Sequence, residues 1–332
     1  MKEAPRLNLA HLPTPLQLLT SISGQAGRNV WVKRDDLTGF SVSGNKIRKL
    51  EYSLAKASAE GANLIVTCGG IQSNHCRATA ILGAKLGFKV HLLLRGEEPE
   101  EIEGNLFLDQ LAGAEISYFA KRYYQAHLDF IAENICEKHR QAGEKPFFIP
   151  TGASDAVGVW GYVNAAEELK ADFARHGIQP EHIITATGSG GTQAGLTAGA
   201  VLHDMPVQVT GYAVCDDEDW FVNKVDADIW DWAETYEIDL DLSSLNITVQ
   251  DKYIGDGYAI ASNPIFDTIT KVFRSESLLL DPVYSGKAFY GMLCDIESNE
   301  LDGKGDIVFV HTGGAFGLFA QRQEWIKYSK IL

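Results

Sequence analysis

The sequence predicts an α/β protein with two blocks of parallel β-sheet and a cleft between them. Three observations lead there. Short runs rich in β-branched and aromatic residues alternate with helix-length stretches. That alternation occurs twice, in separate blocks. Glycine- and serine-rich turns stand where strands hand over to helices, the edge at which parallel sheets bind ligands.

In the first block, residues 64–67 read as a strand and 73–86 as an alanine-rich helix. Residues 89–94 follow as a strand, 102–111 as a helix and 115–119 as a short strand. Residues 123–139 space their apolar side chains three and four apart, the mark of a helix packed on one face, and 147–150 form a further strand. The second block repeats the theme. Helices are predicted over 158–173, 191–202 and 286–298, and strands over 182–187, 207–214 and 306–311.

A chain of 332 residues with 45% hydrophobic and 22% charged residues has material for two cores. No apolar run approaches the ~20 residues of a membrane span, and residues 1–9 lack the apolar centre of a signal peptide. A cytoplasmic protein is the expectation. The five cysteines are scattered and lack C-x-x-C spacing, so neither a disulfide framework nor a zinc site is indicated. The net charge of −15 argues against a nucleic-acid partner. Much of it lies in residues 214–241, where eleven acidic residues face one lysine, Lys224, among Trp220, Trp230 and Trp232. This stretch reads as an irregular but ordered excursion, either a pocket mouth, a subunit contact or a solvated insertion.

Five segments carry candidate chemistry. Lys46, in Ser43-Gly44-Asn45-Lys46, has an amine that can condense with an aldehyde, and Lys49 one turn later could contact a phosphate or perturb it. The same residues also suit a helix start capped by Ser43 or Asn45. The run from Gly39 to Lys46 is not a nucleotide P-loop, because Asn45 intervenes before the lysine and Ile47 stands where a hydroxyl should bind magnesium. Gly188-Ser189-Gly190-Gly191-Thr192 opens a helix with backbone N–H groups suited to a phosphate, while Gln193 breaks the dinucleotide fingerprint. Gly69 to His75 ends a strand and starts a helix, so Ser73 and neighbouring N–H groups would hold a carboxylate or simply cap. Tyr258 and Tyr284 occupy loop positions, and His311-Thr312-Gly313-Gly314 forms another strand-to-helix turn. A reactive lysine and a phosphate loop together point to a phosphorylated aldehyde, pyridoxal 5'-phosphate.

The chain resembles a family of pyridoxal-phosphate enzymes, the aminocyclopropane-carboxylate deaminases and D-cysteine desulfhydrases. The resemblance rests on Val32-Lys33-Arg34-Asp35-Asp36-Leu37, Gly44 to Tyr52, Gln72-Ser73-Asn74-His75, the Gly188 loop, Leu280 to Lys287 and His311 to Gly314, in that order. It implies the tryptophan-synthase-β-like architecture (fold type II), with two parallel-sheet domains and the cofactor in the cleft between them. It also suits a large domain of residues 1–52 plus 161–332 and a small inserted one of 53–160.

The resemblance further implies site roles. Lys46 would carry the cofactor and move protons, Asn74 would meet its phenolic oxygen, and Gly188, Ser189, Gly190, Gly191 and Thr192 would cradle its phosphate beside Lys49. Ser73 would receive the substrate carboxylate, with substrate contacts also expected from Asn74, His75 and Trp160. Tyr258 and Tyr284 would line the reacting face, and Ser285 and Thr312 would contact the cofactor. Ser285 stands where the deaminases carry a glutamate against the pyridine nitrogen. A hydroxyl there points to β-elimination, most simply D-cysteine to pyruvate, ammonia and sulfide. Cysteate sulfo-lyase, ring-opening deaminase and a non-enzymatic amino-acid sensor are the competing readings. Asp256 and the run Ala259-Ile260-Ala261-Ser262-Asn263-Pro264 depart from the family pattern. A homodimer acting on a small amino acid, without a metal and without membrane contact, completes the expectation.

Overall fold

The computed structural model describes residues 4–301 and 303–329. The termini of the expected large domain, residues 1–3 and 330–332, lie outside that range, as does residue 302. Ten strands are described: β1 Leu16–Leu18, β2 Val30–Lys33, β3 Leu64–Gly70, β4 Lys89–Arg95, β5 Glu115–Phe119, β6 Pro146–Ile149, β7 Pro180–Thr187, β8 Gln208–Ala213, β9 Thr248–Gln250 and β10 Asp306–Val310. The first six helices are α1 Thr20–Ala26, α2 Lys46–Ala59, α3 Asn74–Leu86, α4 Gly104–Leu111, α5 Lys121–Gln141 and α6 Ala156–His176. They are followed by α7 Gly191–Leu202, α8 Glu218–Thr235, α9 Asn263–Glu276, α10 Ser285–Glu297, α11 Ala315–Ala320 and α12 Arg322–Ser329.

The strands form two sheets, one ordered β1-β2-β10-β7-β8-β9 and the other β5-β4-β3-β6. Every pairing is parallel except β1 on β2, an antiparallel edge that the sequence reading did not include. Parallel strands joined by helices bury both faces, and the central ones are accordingly rich in apolar residues on both. Val30, Val32, Ile184 and Phe309 lie in one core, Ile65, Leu92 and Leu94 in the other. The four-stranded sheet draws its strands from residues 64–149, inside the expected inserted unit. The expected boundaries at 52/53 and 160/161 both fall within helices, α2 and α6, which pack on each other. Two continuous helices, not loops, therefore join the halves.

The acidic stretch corrects the expectation of irregular structure. Asp217 caps α8 by accepting from Trp220 N, and Glu218 and Asp219 favour its positive end. Phe221, Val225, Ile229 and Trp232 fall on one buried face, while Trp220 and Trp230 stay exposed. Burying side chains of this size stabilises by roughly 1.5–3 kcal/mol each, enough to hold a charged helix. The departing run around Pro264 is likewise a helix start, with Pro264 in the first turn of α9. Among the described residues, no helix is long and apolar enough to cross a membrane.

Candidate active site

Three strand ends and four helix starts meet at a cleft of about 580 Å³ between the two sheets. Lys46 lines it from the first position of α2, Ser73 and Asn74 from the start of α3, and Gly188, Ser189, Gly190 and Thr192 from the start of α7. Tyr258, Tyr284 and Thr312 close the wall on the six-stranded side. Helix starts place unpaired N–H groups and positive dipole ends around one space, a setting for a molecule with several anionic groups.

Among the described residues, no carboxylate acts on Lys46 in the cleft. Burial lowers its amine to about 8, a drift only weakly opposed by the Cys76 thiol. Roughly a tenth of that amine is therefore uncharged at pH 7, far more than for an exposed lysine. Lys49 lies one turn further along the same helix face, fully buried, and donates to Gly152 O (3.1 Å) and Ser154 Oγ (3.1 Å). Burial first and the charge of Lys46 second push Lys49 well below its ordinary value. An anion close to both lysines would relieve that strain.

The loop before α7 is shaped to admit one. Gly190 adopts φ of 85°, and a Cβ at Gly191 would stand 2.7 Å from Lys49 Nζ and 2.7 Å from Ser154 Oγ. Ser154 ties the cradle together: its hydroxyl lies 2.8 Å from Ser189 Oγ and accepts from Gly191 N at 3.2 Å. Asn45 joins the lysine helix to the same loop, donating from Nδ2 to Thr192 Oγ1 (2.9 Å) and from its backbone to Thr312 O (3.1 Å).

Opposite, Ser73 Oγ accepts from Cys76 N at 3.1 Å, which leaves its hydroxyl proton for an acceptor in the cleft. Asn74 Oδ1 accepts from Asn105 Nδ2 (3.0 Å), which fixes the amide with its NH₂ as the open donor. His75 is buried, with Nε2 2.7 Å from Thr67 Oγ1, and burial beside Lys46 and Lys49 holds it well below its ordinary value. It is a neutral ring in the wall. Tyr258 and Tyr284 share a short hydroxyl contact, their ring centroids 5.8 Å apart. Burial raises both phenols, but the hydrogen bond to Tyr284 and the charge of Arg95 hold Tyr258 back, whereas Tyr258 itself pushes Tyr284 further up. The Arg95 guanidinium lies 5.3 Å from the Tyr258 ring centroid.

Of the expected residues, Lys49 and Gly191 stand just behind the cleft wall, and Trp160 and Ser285 are turned away from it. Trp160 is core: its ring lies 5.3 Å from Trp232, 5.4 Å from Tyr236 and 6.4 Å from Tyr52, on the face of α6 turned toward α8. Ser285 is fully buried, and its hydroxyl is engaged with Asp281, donating to Oδ1 (2.7 Å) and accepting from the Asp281 N–H (2.8 Å). It closes the turn that starts α10 and is not part of the cleft wall. The sequence reading gave Asn45 no more than a capping role, passed over Ser154, Arg95, Lys121 and Cys215 as site residues, and gave Lys287 no role. Ser154 follows Gly152 at a strand-to-helix junction, a signal of the type already used for Gly188. Lys287 donates to Ile254 O (2.6 Å) and Gly257 O (2.7 Å), pinning the loop that carries Tyr258.

A lysine whose amine is lowered by burial, a second lysine behind an anion cradle and an amide donor together fit pyridoxal phosphate in size, charge and donor set. The two-sheet architecture with this cleft is that of the fold type II pyridoxal-phosphate enzymes.

The family model "Pyridoxal-phosphate dependent enzyme" matches residues 7–313, and the chain belongs to that family. It is 37% identical to the mitochondrial bifunctional D-cysteine desulfhydrase/1-aminocyclopropane-1-carboxylate deaminase of Arabidopsis thaliana, over 94% of this chain and 79% of that one. It is 36% identical to the D-cysteine desulfhydrase of Klebsiella pneumoniae, over 95% and 96% of the two chains. A solved structure of an ACC (aminocyclopropane-carboxylate) deaminase homologue superposes with a TM-score of 0.90 at 36% identity, covering 98% of this chain and 97% of the other. The protein is a pyridoxal-phosphate-dependent lyase of the aminocyclopropane-carboxylate deaminase and D-cysteine desulfhydrase type.

Proposed function

We propose that the protein catalyses deaminating β-elimination on a small amino acid, D-cysteine in the first instance, releasing pyruvate, ammonia and hydrogen sulfide. The observation carrying this reading is the wall around Tyr284 and Thr312, where the polar side chains are hydroxyls. Among the described residues lining the cleft, Asp216 is the one carboxylate, and it stands beside Cys215 past the end of β8. Bound pyridoxal phosphate supplies an electron sink for the substrate α-carbon, stronger when a carboxylate keeps its ring nitrogen protonated. A hydroxyl setting leaves that sink weaker, which suits loss of a good leaving group better than opening of a carbon ring.

In this scheme Lys46 Nζ bonds the cofactor and, as a free base, takes the substrate α-proton. The Ser73 hydroxyl and the start of α3 hold the substrate carboxylate, and the Asn74 amide donates to the cofactor. The Gly188–Thr192 loop, backed by Lys49 and Ser154, holds the phosphate. Tyr258, the less strongly raised of the two phenols, gives its proton to the departing sulfur, and Tyr284 supports it. The loop departures around Asp256 leave this arrangement intact, since Lys287 holds residues 254–257 in place. A homodimer and the division 1–52 plus 161–332 against 53–160 belong to the same reading.

A second reading has a specific observation behind it. Arg95 and Lys121 both line the cleft beyond the carboxylate site, and two cations there would welcome an anionic β-substituent such as the sulfonate of cysteate. Keto-acid release from D-cysteine, L-cysteine, cysteate and the cyclopropane acid decides among these. Equal amounts of sulfide and pyruvate from D-cysteine support the first reading, and 2-oxobutanoate formed as efficiently from the cyclopropane acid overturns it. Sulfite from cysteate, reduced more than tenfold by Arg95→Gln, supports the second.

A further inference from the structure

A separate group of ligand-type side chains lies outside the cleft, on β4, β5 and the last turn of α5. The register of the four-stranded sheet sets His91 opposite Glu115, and Ser117, two residues on, shares that face. Helix α5 brings His139 against them. His91 Nδ1 lies 2.8 Å from His139 Nε2 and 3.6 Å from Glu115 Oε1, and the three ligand atoms fall within 4.8 Å of one another. The rings meet edge to face, their centroids 5.2 Å apart.

The outward nitrogens are each held. His139 Nδ1 lies 2.6 Å from Glu144 Oε2, and His91 Nε2 lies 2.9 Å from Ser117 Oγ. A carboxylate or hydroxyl accepting from the far nitrogen is how proteins orient imidazoles that bind metal through the near one. With both outer nitrogens protonated, the inner nitrogens of His91 and His139 are left to give their lone pairs to a shared cation beside the Glu115 carboxylate. Both histidines are buried, whereas the Glu115 side chain is 57% exposed and gives that point a path to solvent.

We propose that His91, His139 and Glu115 form a binding site for a divalent transition-metal cation of the zinc type, with one coordination position left to water. Two imidazole nitrogens and a carboxylate are a ligand set that zinc accepts. Tetrahedral zinc needs its nitrogens about 3.3 Å apart, so the two rings must separate by about half an ångström. Glu144 is also paired with Lys89, which balances part of the local negative charge. The residues stand far apart in the chain, so spacing concealed the site. Their placement suggests a use: α5 carries His139 at one end and presents Lys121, Tyr124 and Gln125 to the cleft at the other. A cation here would clip that helix to the sheet.

Calorimetric titration of chelator-treated holoenzyme with zinc, alongside the visible spectrum of the cobalt form, tests this. The wild type should take up about one zinc per chain, melt at a higher temperature with zinc, and give an intense tetrahedral cobalt band. His139→Gln should abolish all three effects. Glu115→Gln alters a largely exposed side chain, and Glu144→Gln an orienting one. The latter should weaken zinc by about 10–100-fold, the former by at least as much, with kcat unchanged in both. Absence of stoichiometric zinc in the wild type, or zinc affinity equal to that of the wild type in both Glu115→Gln and Glu144→Gln, would overturn the site and leave a hydrogen-bonded relay from Glu144 to Ser117.

Discussion

Helix α2 and the strand before it carry buried cations into two contrasting regions. On the side facing α6, Arg48 donates to Asp35 Oδ2 (2.9 Å), Asp35 Oδ1 (2.8 Å) and both oxygens of Glu168 (3.0 Å each). Lys33, 1% exposed, lies 2.6 Å from Asp172 and 2.5 Å from Glu168, and Tyr162 donates to Asp35 at 2.6 Å. Burial alone would raise Asp35, but Arg48 holds it below its ordinary value. On the cleft side, Lys46 and Lys49 sit among hydroxyls and backbone groups, and burial lowers both. The difference teaches how one helix separates structural charge from chemical charge. A cation with carboxylates stays a cation and joins elements together. One without them becomes a nucleophile and base, or waits for an anion.

That contrast can be broken at either end. Lys46→Ala removes the reactive amine and should lower kcat/KM by about 10³-fold or more, with little change in urea midpoint. A comparable loss of stability would mean that Lys46 is structural after all. Arg48→Met leaves Asp35 and Glu168 buried without their partner, and equilibrium unfolding should show a loss of about 3–5 kcal/mol. An effect on turnover without one on unfolding would join the two regions that the geometry separates.

Acidity sharpens the same comparison. The free amine of Lys46 is the reactive form and its value lies near 8, so uptake of pyridoxal phosphate by the apoprotein should rise with pH. The rate should climb about tenfold per unit below 8 and level off above it. A flat profile between pH 6 and 9 would contradict an amine lowered by burial. The smallest effect is expected at Ser285→Ala, where losing the hydroxyl contact with Asp281 should cost about 1 kcal/mol of stability. A change in substrate preference instead would return Ser285 to the cofactor.

Much of this was legible from residue order. Alternating β-rich and helical runs show parallel sheets, because crossover helices bury both faces of every central strand. Glycines at strand ends announce the cradle, since only they let backbone N–H groups converge on an anion. What escaped depended on side-chain direction or on partners far along the chain. Trp160 sits in the apolar run Ala156-Val157-Gly158-Val159-Trp160, whose period cannot say which side faces the core. Ser285 stands next to Tyr284, a cleft residue, yet its hydroxyl turns back to Asp281. The acidic stretch looked irregular because its charges hide a buried face made by Phe221, Val225, Ile229 and Trp232. Asp35 and Glu168 gather around Arg48, and His91 meets His139, only once the sheets are formed.

The most direct test asks which buried lysine bears the cofactor. Holoenzyme reduced with borohydride, digested and mapped by mass spectrometry should carry the pyridoxyl group on the peptide containing Lys46, with Lys33 and Lys49 unmodified. A label on the carboxylate-paired Lys33 would contradict the division between paired and unpaired cations, and a label on Lys49 or Lys287, or none at all, would contradict Lys46 as the reactive amine.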